Sequence, residues 1–340
     1  MNKKKILITG GAGYVGTELI DQLLILNLEI ICLDLMIYGN KSIETYENNQ
    51  NIKFIQIDIR NTDNIKKYFK NIDVVIHLAA IVGDKPCEAA SSLAFQINFL
   101  STKNIFEISK KSDVKKFIFA STCSNYGVSD PSKFADENST LNPVSLYAET
   151  KIDCENYLKQ NSSDSMKTIC LRFGTAFGAS KRTRFDLTVN SFVYEALKKE
   201  KIFIFAPKSW RPYIHVSDMA RIVIEIIKKN YKDFDNFNIF NAGFTELNWQ
   251  KIDIVNFIKN KINTLEFDVV NNIDDPRDYR VSFKKLSNFL ALKDPITISQ
   301  GIDQIFKLYQ KKIITDIDFN NFNLESVIKF FNRKEKELTD

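Results

Sequence analysis

One stretch near the start narrows the possible folds more than any other. Ile6-Leu7-Ile8-Thr9 is a short apolar run that passes directly into Gly10-Gly11-Ala12-Gly13-Tyr14-Val15-Gly16. The glycines satisfy two spacings at once, Gly10-x-x-Gly13-x-x-Gly16 and Gly11-x-Gly13-x-x-Gly16. A turn without Cβ atoms lets backbone N–H groups approach an anion, and a helix starting there aims the positive end of its dipole at the same point. Strand, glycine turn and helix in that order predict a dinucleotide-binding unit. Gly10 and Gly13, with Tyr14 and Val15 opening the helix, are its candidate pyrophosphate contacts.

The first half of the chain continues in the same alternation. Apolar runs of strand length occupy 5–9, 29–33, 52–57, 74–77, 116–120 and 168–173, with helical periodicity at 14–26, 63–69, 91–111 and 147–159. Strands alternating with helices imply an α/β fold, a Rossmann-type doubly wound parallel sheet covered on both faces. After Gly174 the pattern loosens, with helical stretches near 186–199, 218–229, 249–261 and 298–311. The reading is a cofactor domain over 1–174, a smaller C-terminal substrate-binding lobe over 175–314 interleaved with it, and an extension over 315–340. A length of 340 residues, 44% hydrophobic and 26% charged, suits a globular protein of this size, and a net charge of +5 with dispersed lysines argues against nucleic acid. The 5 cysteines form no CxxC pair, which argues against a disulfide framework and a metal site. No membrane span or signal segment is evident, and a cytoplasmic location is the expectation.

Asp34 ends the second strand, where a carboxylate can accept hydrogen bonds from the adenosine ribose and repel a 2′-phosphate. Leu35, Met36 and Ile37 follow it and no arginine adjoins, so NAD is favoured over NADP; Lys41 is the one residue that weakens this expectation. Asp58, with Ile59 beside it, ends the third strand within reach of the adenine. His77-Leu78-Ala79-Ala80 ends the fourth, its small residues letting backbone lie against the cofactor, with His77 read as structural.

Tyr147-Ala-Glu-Thr-Lys151 puts a phenol and an ammonium on one helix face at i and i+4. A phenol titrates near pH 10, and a nearby ammonium lowers that value, making Tyr147 a candidate base. The same lysine can reach a cofactor ribose. Upstream, Ala120-Ser121-Thr122-Cys123-Ser124-Asn125-Tyr126-Gly127 ends the fifth strand, and a hydroxyl there can hold the reacting alcohol beside Tyr147.

These motifs, together with Arg211-Pro-Tyr-Ile-His-Val-Ser-Asp218, resemble the extended short-chain dehydrogenases of the NAD-dependent epimerase/dehydratase family over about residues 4–312. The resemblance implies nucleotide-sugar chemistry by hydride transfer at the sugar C4. It assigns Thr122 as the catalytic hydroxyl, with Ser121 as a neighbouring cofactor or structural contact. Sugar 4,6-dehydratases of the family carry Asp-Glu after that hydroxyl; Cys123-Ser124 supplies no carboxylate, so elimination is disfavoured. Epimerase-reductases place a cysteine where Ser124 stands and add a histidine that this chain lacks. A 4-epimerase or 4-dehydrogenase remains. Ala80-Ile-Val-Gly83 with Cys87, the stretch 184–190 and Asp275-Pro-Arg-Asp-Tyr-Arg-Val-Ser282 look similar to bacterial GDP-heptose C4 dehydrogenases of surface-polysaccharide synthesis. For the substrate, Arg211 is the leading diphosphate contact, followed by Arg277 and Arg184, which could equally be a surface ion pair. Asn190 could contribute its helix-start backbone, and Thr175 stands where the wider family has an asparagine. The family also implies a homodimer through the helices at 91–111 and 147–159, with Phe95, Phe99, Ile105 and Tyr157 available for that face. Two rival readings are an NADH-dependent 4-keto-sugar reductase and a non-catalytic dinucleotide-binding subunit; the intact Thr122–Tyr147–Lys151 set argues against the second.

Overall fold

A computed structural model describes residues 3–314, apart from 131, 199–200, 271–274 and 276. The extension expected over 315–340 lies outside the described residues. Each apolar run of the first half is a strand: β1 (Lys5–Thr9), β2 (Glu29–Asp34), β3 (Ile52–Gln56), β4 (Val74–His77) and β5 (Lys116–Thr122). The short β6 (Phe134–Ala135) precedes the helix Leu146–Gln160, and β7 (Lys167–Phe173) follows it. Beyond lie β8 (Thr175–Phe177), β9 (Ile202–Phe205), β10 (Trp210–His215), β11 (Phe237–Ala242), β12 (Asn248–Gln250), β13 (Phe267–Val270) and β14 (Arg280–Val281).

Seven strands form one sheet in the order β11-β7-β5-β4-β1-β2-β3, and every neighbouring pair is parallel. The alternation within β1 explains how both faces are covered. Ile6 and Ile8 enter a core that includes Leu19, Ile20, Ile222 and Ile226, whereas Leu7 enters an opposite core with Val75, Phe106, Phe117 and Leu158. β4 is buried at every position, as a central strand with helices on both sides must be. Strand order reverses between β1 and β4, and the carboxyl ends of strands flanking such a reversal open a crevice.

The two lobes interleave. The chain leaves the sheet after β7 and returns as β11, which pairs along β7 from Phe237 to Ala242. The helix Val216–Lys228 packs on the first helix, Tyr14–Leu24. The rest of the C-terminal part has its own core, containing Phe177, Val193, Ile204, Tyr213 and Ile302.

The helix expected over 91–111 is not uniform. It runs as Ser91–Ala94, a π-helical turn over Phe95–Leu100, and Ser101–Lys111. The widened turn carries Asn98, whose amide accepts from the Ile81 N–H at 2.8 Å and donates to the Ile81 carbonyl at 2.9 Å. Such bulges often serve a site, and this one fixes the loop after β4, which lines the cleft described next. Among the described residues no helix is long and apolar enough to cross a membrane.

Candidate active site

The carboxyl ends of β1 to β5 and β7 open into one cleft of about 370 Å³, lined from Gly10 and Asp34 at one end to Thr122, Tyr147 and Arg277 at the other. The glycine turn lines it. Gly10 has φ 75°, and a Cβ there would meet the Ala79 nitrogen at 2.6 Å. A Cβ on Gly16 would strike the Gly11 backbone at 2.5 Å, so the third glycine lets the helix sit against the strand end. Gly13 is the N-cap of the helix Tyr14–Leu24 and supplies no side-chain cap to its first-turn amides. An uncapped helix start lining a cleft fits the pyrophosphate of a dinucleotide. Val15 lines the cleft as expected. The Tyr14 hydroxyl points away, donating to the Gly178 carbonyl at 2.6 Å, so its side chain ties the lobes together.

Asp34 is fixed in place: its two carboxylate oxygens accept the Ala12 N–H at 3.0 Å and the Met36 N–H at 2.8 Å. Burial pushes its carboxyl above the usual range, opposed by those amides and by the charge of Arg182. Asp58 and Ile59 line the same end, but both Asp58 oxygens are engaged by the Arg60 guanidinium at 2.7–3.1 Å. Leu78, Ala79 and Ala80 line the opposite wall. Behind them His77 is buried between two threonines. The Thr102 hydroxyl donates to the Asn98 carbonyl at 2.6 Å. It therefore accepts from His77 Nε2 at 2.8 Å, which leaves Nδ1 to accept the Thr9 hydroxyl at 2.6 Å. Burial, with Lys151 nearby, pushes this imidazole down to about 3, so it is neutral and structural.

Thr122, Tyr147 and Lys151 meet at the end of β5. The Thr122 oxygen accepts the Ser124 N–H at 3.0 Å, capping the turn Cys123–Tyr126 and leaving its own proton to donate into the cleft. Ser145 caps the helix Leu146–Gln160, which presents Tyr147 from its first turn. Lys151 donates to the Ala120 carbonyl at 2.8 Å, and its nitrogen lies 5.9 Å from the centre of the Tyr147 ring. Burial raises the Tyr147 phenol well above its ordinary value, and the charge that opposes this is Arg184. The Lys151 ammonium is turned to the strand end, and burial depresses its own titration. Of the two roles expected for Ser121, its side chain takes the structural one. Its hydroxyl donates to Glu155 at 2.5 Å, inside a buried network in which Arg172 binds both Glu155 oxygens. Only the rest of Ser121 faces the cleft. Cys123 is fully buried, its thiol directed to the Arg172 carbonyl.

The substrate candidates divide. Thr175, Arg184 and Arg277 line the cleft, whereas Arg211 and Asn190 do not. Arg277 binds Asp84 at 3.0 Å and Asp275 at 3.1 Å. Arg211, only 4% exposed, stands behind it on the far side of Asp275 at 2.7 Å, where Lys251 joins at the same distance. Burial alone would raise the Asp275 carboxyl, but these three cations hold it well below the usual range. Arg184 is bidentate to Asp186 at 3.0 and 2.6 Å, and its charge acts on Tyr14, Tyr38 and Tyr147. It therefore lines the cleft as a guanidinium already held by Asp186. The Asn190 amide is consumed internally, donating to the Gly178 and Arg184 carbonyls at 3.1 and 2.8 Å and accepting the Gly178 N–H at 2.9 Å. Sequence reasoning missed Tyr38, Ser124, Arg182 and Tyr279, all of which line the cleft. Ser124 and Tyr279 sit in motifs already weighed and Tyr38 follows the stretch after Asp34, whereas Arg182 arrives from a loop outside every motif.

Residues 6–243 match the model of the NAD dependent epimerase/dehydratase family. A Methanocaldococcus jannaschii protein provisionally named a UDP-glucose 4-epimerase is 31% identical over 310 residues, covering 88% of this chain and 96% of its own. A UDP-N-acetyl-alpha-D-glucosaminuronate decarboxylase of Bacillus cytotoxicus is 29% identical, over 71% of this chain and 75% of its own. Among solved structures, the UDP-glucuronic acid 4-epimerase of Bacillus cereus, in complex with UDP-glucuronic acid and NAD, superposes with a TM-score of 0.81 at 24% identity, covering 91% of this chain and 100% of that one.

Proposed function

This chain belongs to the NAD-dependent epimerase/dehydratase family, and from that membership we propose that it oxidises the C4 hydroxyl of a nucleotide-activated sugar, as a 4-epimerase or 4-dehydrogenase. NAD is the cofactor. When bound, it supplies a hydride acceptor that can also return the hydride. The uncapped amides after Gly13 would hold its pyrophosphate, Asp34 its adenosine ribose and Lys151 its second ribose. Tyr147 takes the proton of the sugar hydroxyl, and Thr122 donates a hydrogen bond that holds that oxygen beside the phenol. Arg184 favours the phenolate against the burial that disfavours it. Arg277 faces the cleft as the diphosphate contact, with Arg211 and Asp275 as its backing.

The observation that carries the choice of reaction is the acid content of the cleft. Its lining acids are Asp34 and Asp58 at the adenosine end and Asp84, which is held by Arg277. Next to Thr122 stand a serine and an interior-facing cysteine, so among the described residues no carboxylate is available there to expel a hydroxyl from C6. The test is turnover of UDP-, GDP-, dTDP- and CDP-sugars, GDP-heptose included as a surface-polysaccharide precursor, with mass spectrometry of the product. An unchanged mass marks an epimerase and the loss of two hydrogens a dehydrogenase. Loss of one water overturns the reading.

A further inference from the structure

The adenosine end of the cleft contains a cation that the sequence around Asp34 does not suggest. Lys41, the basic residue nearest Asp34 in the chain, is exposed and does not line the cleft. Arg182 does line it. It comes from the loop between β8 and the helix Thr188–Leu197, in the C-terminal part. Its guanidinium lies 3.8 Å from the centre of the Tyr38 ring, a stacked cation–π contact.

Two features keep this arginine where it is. On one side of it Lys181 is ion-paired with Asp21 of the first helix and donates to the Tyr46 hydroxyl at 2.9 Å. On the other side the Thr183 hydroxyl accepts the Ser180 N–H at 3.0 Å, closing the loop on itself. The loop is thus fastened to the cofactor domain next to the position where it crosses the adenosine end. Asp34, Tyr38 and Arg182 all line the cleft, and the charge of Arg182 acts on Asp34 and on Tyr38 alike.

We infer that Arg182 is a cofactor-specificity residue: it offsets the Asp34 carboxylate at the ribose 2′ position and lets the protein bind NADP as a second cofactor behind NAD. Asp34 by itself would exclude a 2′-phosphate, because two backbone amides hold its carboxylate in place and it cannot turn aside. A guanidinium on the same wall reduces that repulsion and offers a planar, doubly donating partner to phosphate oxygens. NAD, which presents a neutral diol to Asp34, gains nothing comparable from the arginine.

The test is calorimetric titration of the nucleotide-free protein with NAD and with NADP, which requires no sugar substrate. It is therefore independent of whether the proposed sugar chemistry is correct. Arg182→Gln should weaken NADP binding roughly 10- to 100-fold, the size of a charge-assisted hydrogen bond, and change NAD binding by less than about threefold. Retained NAD binding also shows that the variant is folded. Asp34→Asn should improve NADP binding, and the improvement should shrink in the Asp34→Asn/Arg182→Gln double variant, since the phosphate then has no partner. NADP affinity of the unmodified protein should also fall more steeply with salt than NAD affinity. Equal weakening of both cofactors by Arg182→Gln would reduce the arginine to a support of the loop and overturn the inference. So would unchanged NADP affinity, or an unmodified protein that binds no NADP at millimolar concentration.

Discussion

A phenol serves as a base only if something opposes the cost of ionising it in a buried site. In this protein Tyr147 is raised by burial and the opposing charge is Arg184, which gives the chemistry a testable pH dependence. Activity needs the phenolate, so it should rise with pH through the Tyr147 titration. Removing the guanidinium raises that titration further, and Arg184→Gln should move the acidic limb of the rate profile to higher pH; an unmoved limb removes Arg184 from this role. Tyr147→Phe should abolish hydride transfer and leave NAD binding largely intact, because the glycine turn and Asp34 are elsewhere. Thr122→Ser should keep activity, while Thr122→Ala should lose about 10²- to 10⁴-fold if the hydroxyl also helps relay the proton; single-turnover measurement of cofactor reduction checks all three. What was legible in sequence at this scale was whatever acts through short spacing: the glycine turn, Asp34 at its strand end, Tyr147 and Lys151 one helical turn apart. What was not legible depended on where a polar group turns after folding. Arg182 and Tyr38 meet only because two loops from different parts of the chain cross.

The elements themselves followed from periodicity, since a strand buried on both faces and a helix with one apolar face leave distinct patterns. The π-helical turn at Phe95–Leu100 left no such trace, because one inserted residue barely disturbs a helical pattern. A second element-scale feature lay outside pattern reading. Lys116, buried at the start of β5, donates to the carbonyls of Ile226, Ile227 and Lys229 at 2.9, 3.1 and 2.5 Å. These carbonyls end the helix Val216–Lys228, so a strand lysine terminates a helix more than a hundred residues away, meeting both its unpaired acceptors and its dipole. Lys116→Met should cost about 1–3 kcal/mol, as buried carbonyls lose a charged donor. Urea unfolding measures this, and a change within error would show that water substitutes for the ammonium.

At the scale of the molecule, one apolar strip has no cover among the described residues. Phe95 is 43% exposed and lies tilted against Phe99 with centroids 5.3 Å apart; Phe99 in turn meets the Tyr157 ring edge-on at 6.4 Å. Leu100 is also exposed, whereas Ile105, expected on the same face, is fully buried in the chain's own core. We propose that a second copy covers the strip. Light scattering at micromolar concentration should give a two-chain mass, and Phe95→Glu should shift it toward one chain; a one-chain mass for the unmodified protein rules the dimer out. The return of β11 to the edge of the main sheet has a different consequence, for the way the gene can be divided. The proposed proton-transfer residues Thr122, Tyr147 and Lys151 all lie before residue 175, so a gene cut there would still encode them, without Arg184 and Arg277. Its product would lack the sheet's last strand and the helix that shields Leu19, Ile20 and their neighbours. Proton transfer and solubility are thus written in different halves of the reading frame, and neither half is inherited usefully without the other.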